Sequence, residues 1–142
     1  MADGTHRLSV RVTDAQSRMV NSAVVNQTVD NTAPDTYISV PTANSFFQTS
    51  LQATAHASDS FGVKTVQFAL DGVLGGSPIG SPDGGSGFNY SAPLSLAGLT
   101  NGTHTLTSVA LDNAGNRKTS AAVSFSTGGP PPTVVVTMPQ GG

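Results

Sequence analysis

Acidic and amide side chains recur in this sequence where apolar runs end. The densest group is Asp112-Asn113-Ala114-Gly115-Asn116, Asp59 lies between two alternating runs, and Asp30 opens a segment that reaches Asp35. Carboxylate and amide oxygens are the ligands that Ca²⁺ prefers. Asp30, Asp59, Asp112 and Asn113 are therefore candidate ligands of a weak Ca²⁺ site that would stiffen a joint. The alternative is a set of ordinary turns in which Asp and Asn side chains bond backbone amides, and the lack of any Glu to act as a bidentate ligand favours it.

The three histidines do not indicate an enzyme. No two of them have metal-ligand spacing, and no Ser, His and Asp residues stand in a catalytic context. His6 and His104 each follow a Gly-Thr turn and are predicted to be structural, while His56 falls on the polar phase of its strand. We expect no catalytic residues and no cofactor other than Ca²⁺.

The aromatic residues neither indicate nor exclude a carbohydrate-binding site. The chain has no Trp, six Phe and two Tyr, and the exposed rings that bind polysaccharides are most often large and amphipathic. Most of the eight aromatic rings are expected in the hydrophobic core. Phe46 and Phe47 are adjacent in a short predicted turn and cannot both point inward, so one of them is a candidate interface residue. Lys64 and Lys118 are the only lysines that could form an intramolecular Lys to Asn isopeptide bond.

Composition excludes several classes of partner. Six basic and eight acidic residues among 142 give a net charge of -2 and a pI near 5.7, which favours neither nucleic acid nor an anionic membrane surface. No apolar run is long enough to span a bilayer, and no Cys is present for disulfides or thiolate-bound metals. We therefore predict no nucleic-acid partner and no membrane insertion.

Hydrophobic periodicity predicts an all-β chain. Leu51, Ala53, Ala55 and Ala57 alternate with polar residues, as do Val66, Phe68 and Leu70 before Asp71-Gly72, which is a hairpin signal. Such alternation is typical of half-buried antiparallel strands. The predicted strands are residues 36–40, 51–57, 63–70, 89–96, 102–111 and 118–126. Residues 72–88 contain seven Gly and are predicted to be the most mobile loop.

An internal repeat sets the domain organisation. The segment from Asp3 to Asp14 aligns with the segment from Asn101 to Asp112 at an offset of 98 residues, and a strand, a Pro-containing linker and a new apolar run follow each copy. We predict that residues 1–33 are the last two strands and linker of a preceding unit. Residues 34–127 then form one complete unit, and residues 128–142 hold a linker and the first strand of a following unit.

The motifs of the complete unit resemble a known family. Residues 57–68, Leu70-Asp71-Gly72, residues 99–106 and residues 111–116 follow one another as in bacterial immunoglobulin-like domains, the tandem modules of secreted and cell-surface proteins. The resemblance implies an immunoglobulin-like antiparallel β-sandwich and an extracellular or bacterial cell-surface location. It also implies a non-enzymatic structural or adhesive role, with neighbouring units or copies of the chain as partners. The alternative is a carbohydrate-binding accessory module of a secreted polysaccharide-degrading enzyme.

Two further sets of residues are predicted interfaces. If Leu106, Ser108 and Ala110 face inward, Val109 and Leu111 present an apolar outer face that a neighbour would cover. Val134, Val135 and Val136 form a strongly β-prone run that could pair with residues 1–29 of another chain by strand addition. Such a contact is head-to-tail and would build a ring or a filament.

Overall fold

Short β-strands joined by turns make up the chain. The computed structural model describes residues 1–128. In chain order the strands are β1 (Gly4–Leu8), β2 (Arg11–Thr13), β3 (Met19–Asn21), β4 (Val25–Val29), β5 (Asp35–Val40), β6 (Ser45–Phe47), β7 (Ser50–Ser58), β8 (Val63–Leu70), β9 (Val73–Ile79), β10 (Asn89–Ser95), β11 (Gly102–Asp112), β12 (Arg117–Thr119) and β13 (Val123–Thr127). One 3₁₀ turn, Asp83–Gly85, precedes β10. Within residues 1–128, no helix has the length and apolar character that crossing a bilayer requires.

Strands β5 to β13 form two sheets that face each other. The smaller sheet has the order β10-β7-β5, and the larger has the order β6-β13-β11-β8-β9, with β12 paired to β11. Pairing is antiparallel except between β13 and β6, which run parallel. The two sheets enclose one hydrophobic core and so form a sandwich.

The core lies where the alternating patterns predict it. Leu51, Ala53, Ala55 and Ala57 of β7 are buried against Phe68 of β8, Leu106 of β11 and Phe125 of β13. Two buried hydroxyls cross the same space, because Thr36 Oγ1 and Ser108 Oγ hydrogen-bond at 2.8 Å. Small residues on β7 thus let the sheets approach, and the aromatic rings of the opposite sheet fill the remaining volume.

The predicted loop after β8 is partly a strand. Asp71 and Gly72 have positive φ angles of 49° and 80°, the conformation of the tight hairpin turn that Asp-Gly favours. The chain therefore returns at once as β9, which pairs with β8. β9 is an exposed edge strand, where Gly75, Gly76 and Pro78 are tolerated.

Two other expectations from the sequence were wrong in detail. Phe46 and Phe47 lie in the short strand β6 rather than in a turn, because β13 offers its free edge to them. The predicted strand over residues 118–126 is two strands, β12 and β13, separated at buried Ser120. Ser120 N–H donates to the Ser108 carbonyl (2.8 Å) and Ser120 Oγ accepts from the Ser108 N–H (3.0 Å), so the chain turns inward there.

The N-terminal residues repeat the last strands of the sandwich. They form two separate two-stranded sheets, β1-β4 and β2-β3, rather than the single pair of strands expected. The bounds of β3 and β4 coincide with those of β12 and β13 after the offset of 98 residues, and Gly4 pairs with Val29 as Gly102 pairs with Thr127. β1 and β2 together correspond to most of β11. The sequence repeat is therefore also a structural repeat.

Candidate metal site at the linker

Three carboxylates converge where the linker meets the sandwich. Asp30 follows β4, Asp59 follows β7, and Asp112 ends β11. Each offers one oxygen, and the three oxygens lie within 4.8 Å of one another. Ligands of one Ca²⁺ ion, each about 2.3–2.6 Å from the metal, cannot lie more than about 5 Å apart. The separation is therefore compatible with a single shared cation.

Asp112 is the fixed member of the cluster. Its side chain is fully buried, and its Oδ1 accepts hydrogen bonds from the backbone N–H groups of Ala114 (2.8 Å), Gly115 (2.6 Å) and Asn116 (2.8 Å). Burial raises the pKa of Asp112, but these bonds and the one from the Asn116 side chain outweigh it and hold the pKa below its ordinary value. The turn thus keeps a buried negative charge at the end of β11.

Asp30 is the member that lacks partners. Its Oδ1 accepts from the Thr32 N–H at 3.1 Å, but its Oδ2 is buried and has no hydrogen-bond partner among residues 1–128. Desolvation by burial raises the pKa of Asp30, and the negative charges of Asp59 and Asp112 raise it further. A cation at this point would remove the repulsion and supply the missing partner.

The amide side chains of the cluster hold the backbone. Asn113, a predicted ligand, donates through Nδ2 to the carbonyls of Phe61 (3.1 Å) and Gly62 (3.2 Å), so its amide nitrogen fixes the turn after Asp59. Asn116, which sequence reasoning did not select, donates to the Asp30 carbonyl (3.1 Å) and to Asp112 Oδ2 (2.8 Å). It connects the linker to the sandwich. Its place in the same turn motif as Asp112 was the available signal.

The predicted interface residues lie in separate places. Val109 and Leu111 are half-buried on the outer face of β11, beside Leu74 and Pro78 of β9. Phe46 is exposed, whereas Phe47 packs edge-to-face on Phe125 at 5.9 Å. Val134, Val135 and Val136 lie outside the described residues.

The basic groups predicted from sequence take structural roles. Lys118 Nζ donates to Asp35 Oδ1 at 2.6 Å. His104 is buried and bonds Asp71 Oδ2 through Nδ1 (2.7 Å) and the Thr100 carbonyl through Nε2 (2.9 Å). His6 repeats the second contact, because its Nε2 lies 2.7 Å from the Ala2 carbonyl.

Comparison with known families identifies the fold. The family model described as "Bacterial Ig domain" matches residues 34–107, which is more than half of the chain. The chain belongs to the bacterial Ig domain family. The two-sheet sandwich of β5 to β13 is thus an immunoglobulin-like fold, as the motifs predicted. No curated protein matches the chain.

Solved structures that resemble this Ig domain come from larger proteins. An endo-β-1,4-mannanase from Thermotoga petrophila is 9% identical with a TM-score of 0.54, over 69% of this chain and 20% of that chain. Fibronectin(III)-like modules of Clostridium thermocellum CbhA are 24% identical with a TM-score of 0.49, over 89% of this chain and 63% of theirs. The mixed-linkage glucan locus protein SGBP-B of Bacteroides ovatus is 13% identical with a TM-score of 0.29, over 90% and 30%. The chain thus spans less than two thirds of each.

Proposed function

We propose that this chain is part of a tandem array of Ig-like units that acts as a non-enzymatic spacer in a bacterial extracellular or cell-surface protein. Residues 1–33 belong to the end of a preceding unit, residues 34–127 are a complete unit, and residues 128–142 lead into the next. The observation that carries the proposal is the hydrogen-bond pattern shared by the two copies.

That pattern is specific. Ser22 N–H donates to the Val10 carbonyl at 2.8 Å and Ser22 Oγ accepts from Val10 N–H at 2.9 Å. Ser120 makes the same two bonds to Ser108, at 2.8 Å and 3.0 Å. Asp14 Oδ1 accepts from the N–H groups of Gln16 and Arg18, which are equivalent to two of the three donors to Asp112 Oδ1, Ala114 and Asn116. Equivalent local geometry at the same offset supports a common unit.

Burial supports the same proposal. Leu8, Val10 and Val12 are 49%, 64% and 65% exposed, whereas the equivalent positions Leu106, Ser108 and Ala110 are fully buried. An apolar stripe on a pair of short strands is unfavourable in water. The remaining strands of a preceding unit would cover that stripe, just as β5 packs across β11 and β8 pairs beside it.

The carboxylate cluster gives the array a joint. We assign Asp30, Asp59 and Asp112 as oxygen ligands of a Ca²⁺ ion, with Asn116 holding the linker in place and Asn113 shaping the adjacent turn. The linker residues Ala33 and Pro34 are restricted to extended backbone. Ca²⁺ would then reduce the angular freedom between successive units.

A fusion tests the array. Residues 34–98 placed directly before residue 1 restore the missing strands at the repeat offset and should convert residues 1–33 into part of a complete unit. Hydrogen exchange should then become as slow in β1 and β4 as in β11 and β13. Rapid exchange of β1 and β4 in the folded fusion would contradict the proposal.

Calcium titration tests the joint separately. The unfolding midpoint of the full chain should rise with millimolar Ca²⁺ and fall with EDTA, because an ion that binds only the folded state stabilises it. Asp30→Asn and Asp59→Asn should abolish the rise, while Asp83→Asn, outside the cluster, should keep it. If neither Ca²⁺ nor EDTA changes the unfolding midpoint, the calcium site is excluded and the proposed spacer role is unaffected.

The proposal also includes self-association of the chain. When no preceding unit covers it, the exposed stripe of β1 and β2 could accept an added apolar segment, and the run Val134, Val135 and Val136 of a second copy would supply one. Because donor and acceptor lie at opposite ends of the chain, the contact repeats without closing by a two-fold axis.

A further inference from the structure

Three aromatic rings form a row across the outer face of the smaller sheet. Tyr37 of β5 is opposite His56 of β7, and their rings stack with centroids 4.9 Å apart and planes 10° from parallel. Phe88, immediately before β10, follows at 5.3 Å from the His56 ring. The row therefore runs from β5 across β7 to the start of β10, and the pairing of the strands creates it from residues far apart in sequence.

The outer rings of the row are exposed although the sheet behind them is packed. Tyr37 is 51% and Phe88 is 56% exposed, while His56 between them is half-buried. His56 Nδ1 is buried without a hydrogen-bond partner among residues 1–128. Stacking, and not a hydrogen bond at that nitrogen, holds the central ring, and it supports the two exposed rings in fixed positions.

The surroundings of the row are polar. Outward positions of the three strands carry hydroxyl and amide groups, among them Ser39, Thr54, Asn89 and Ser91. Thr54 Oγ1 and Ser91 Oγ hydrogen-bond at 2.8 Å. Three carboxylates lie at the margins: Asp35 pairs with Lys118, Asp83 accepts from Ser91, and Asp59, beside Phe88, accepts from the Phe61 N–H.

We infer that the row of Tyr37, His56 and Phe88 binds a neutral polysaccharide. A pyranose ring has an apolar C–H face that stacks on an aromatic ring, while its hydroxyls pair with hydroxyl, amide and carbonyl groups at the edge. Lys118, at the margin of this face, is already paired with Asp35, so an anionic ligand would find little opposite charge there. A protein partner would require more aliphatic contact area than this face offers, since Val40, 41% exposed and paired with Thr54, is the one large aliphatic side chain exposed on β5, β7 and β10.

A groove beside Phe88 extends the face. It has a volume of about 390 Å³ and is lined by the hydroxyl residues Thr32, Ser58 and Ser60 and by the carboxylates Asp35 and Asp59. The groove provides further hydroxyl groups next to an exposed ring. A chain of sugars on the row would continue into it.

Affinity electrophoresis with soluble neutral polysaccharides tests the inference on the full chain. Gels that contain glucomannan, mixed-linkage β-glucan or xylan should retard the wild-type protein, whereas polygalacturonate should not. Tyr37→Ala and Phe88→Ala should each weaken binding about tenfold, the effect of one lost stacked ring. Phe46→Ala removes an exposed ring from the other sheet and should bind like the wild type.

The outcomes separate the alternatives. Thermal unfolding checks that the variants are folded, and Tyr37→Phe, which keeps the ring, should retain binding if Tyr37→Ala is unstable. Absence of retardation by every neutral polysaccharide overturns the inference, as does retardation that survives both alanine substitutions. If the substitutions instead lower a concentration-dependent mass measured by light scattering, the row is an interface between copies and the inference is wrong.

Discussion

Asp71 Oδ2 lies 2.7 Å from His104 Nδ1, and this pair fastens the β8–β9 hairpin turn to β11. The Thr100 carbonyl and then Asp71 raise the pKa of His104 above its ordinary value of 6.5. Burial raises the pKa of Asp71, but the Thr105 N–H and His104 outweigh it and bring the pKa below 3.8. The pair therefore favours charged His104 and charged Asp71 in the folded state.

The pH profile of stability follows from these directions. The His104 contribution is complete below pH 6.5 and is lost as pH rises through its raised folded pKa, while the Asp71 contribution is lost as pH falls through its lowered one. The unfolding midpoint should therefore decline as pH rises above about 6.5. Asp71→Asn should flatten that decline. His6→Gln, in the copy without this hairpin, should leave the slope unchanged, and an equal slope in Asp71→Asn would contradict the assignment.

Ser120 should matter more than its counterpart Ser22. Ser120→Ala removes the acceptor of the buried Ser108 N–H, and an unpaired buried donor costs about 1–3 kcal/mol of unfolding free energy. Ser22→Ala affects an exposed pair and should cost about 0.5 kcal/mol or less. Urea unfolding of both variants measures the difference. Equal losses would mean that residues 1–29 are as well packed as the sandwich.

Leucines at equivalent positions offer a second comparison. Leu106→Ala creates a cavity in the core and should cost about 2–5 kcal/mol. Leu8→Ala, at a position that is 49% exposed, should stay within about 0.5 kcal/mol in the isolated chain. In the fusion that restores the missing strands, Leu8→Ala should become as costly as Leu106→Ala. Denaturant unfolding gives all three values, and an unchanged cost of Leu8→Ala in the fusion would contradict the array.

Replacing Val109 and Leu111 with Thr tests the outer face of β11. Both side chains are half-buried and point away from the core, so the double variant should fold and should associate more weakly than the wild type. Ala110→Thr, at a fully buried position, is the control and should be strongly destabilised. If the double variant unfolds instead, these two side chains stabilise the fold itself, and the assignment of the face to a partner is wrong.

Deleting residues 131–142 tests strand addition. The full chain should show a mass that grows with concentration in light scattering, and the deletion should reduce it to that of a monomer. Leu8→Asp combined with Val12→Asp should do the same from the acceptor side. A full chain that is already monomeric, or a shortened chain that assembles equally well, would exclude pairing through Val134, Val135 and Val136.

Strict alternation explains which strands were predictable. β7 and β8 combine one apolar face with one polar face, so period two was visible in the sequence. β9 was missed because its glycines and proline hide the pattern, and only its edge position makes them acceptable. β6 was missed because it depends on the distant edge of β13.

The two candidate sites also differ in whether the sequence could predict them. Asp30, Asp59 and Asp112 could be predicted because each ends or follows an element and carries a side chain suited to the same chemistry. The row of Tyr37, His56 and Phe88 could not, because no local pattern connects its members. Only the register of β5 on β7, which depends on which faces are buried, places Tyr37 opposite His56.

The parallel pair of β6 and β13 has a mechanical consequence. Its ladder joins Ser45 to Phe125, Phe46 to Ser126 and Phe47 to Thr127. In an array under tension, force enters the unit at its first strands and leaves it through β13, so the two parallel strands are pulled in opposite directions along their length. Their hydrogen bonds are then loaded together in shear instead of one at a time. This short ladder would therefore be the part of the unit that resists tension along the array.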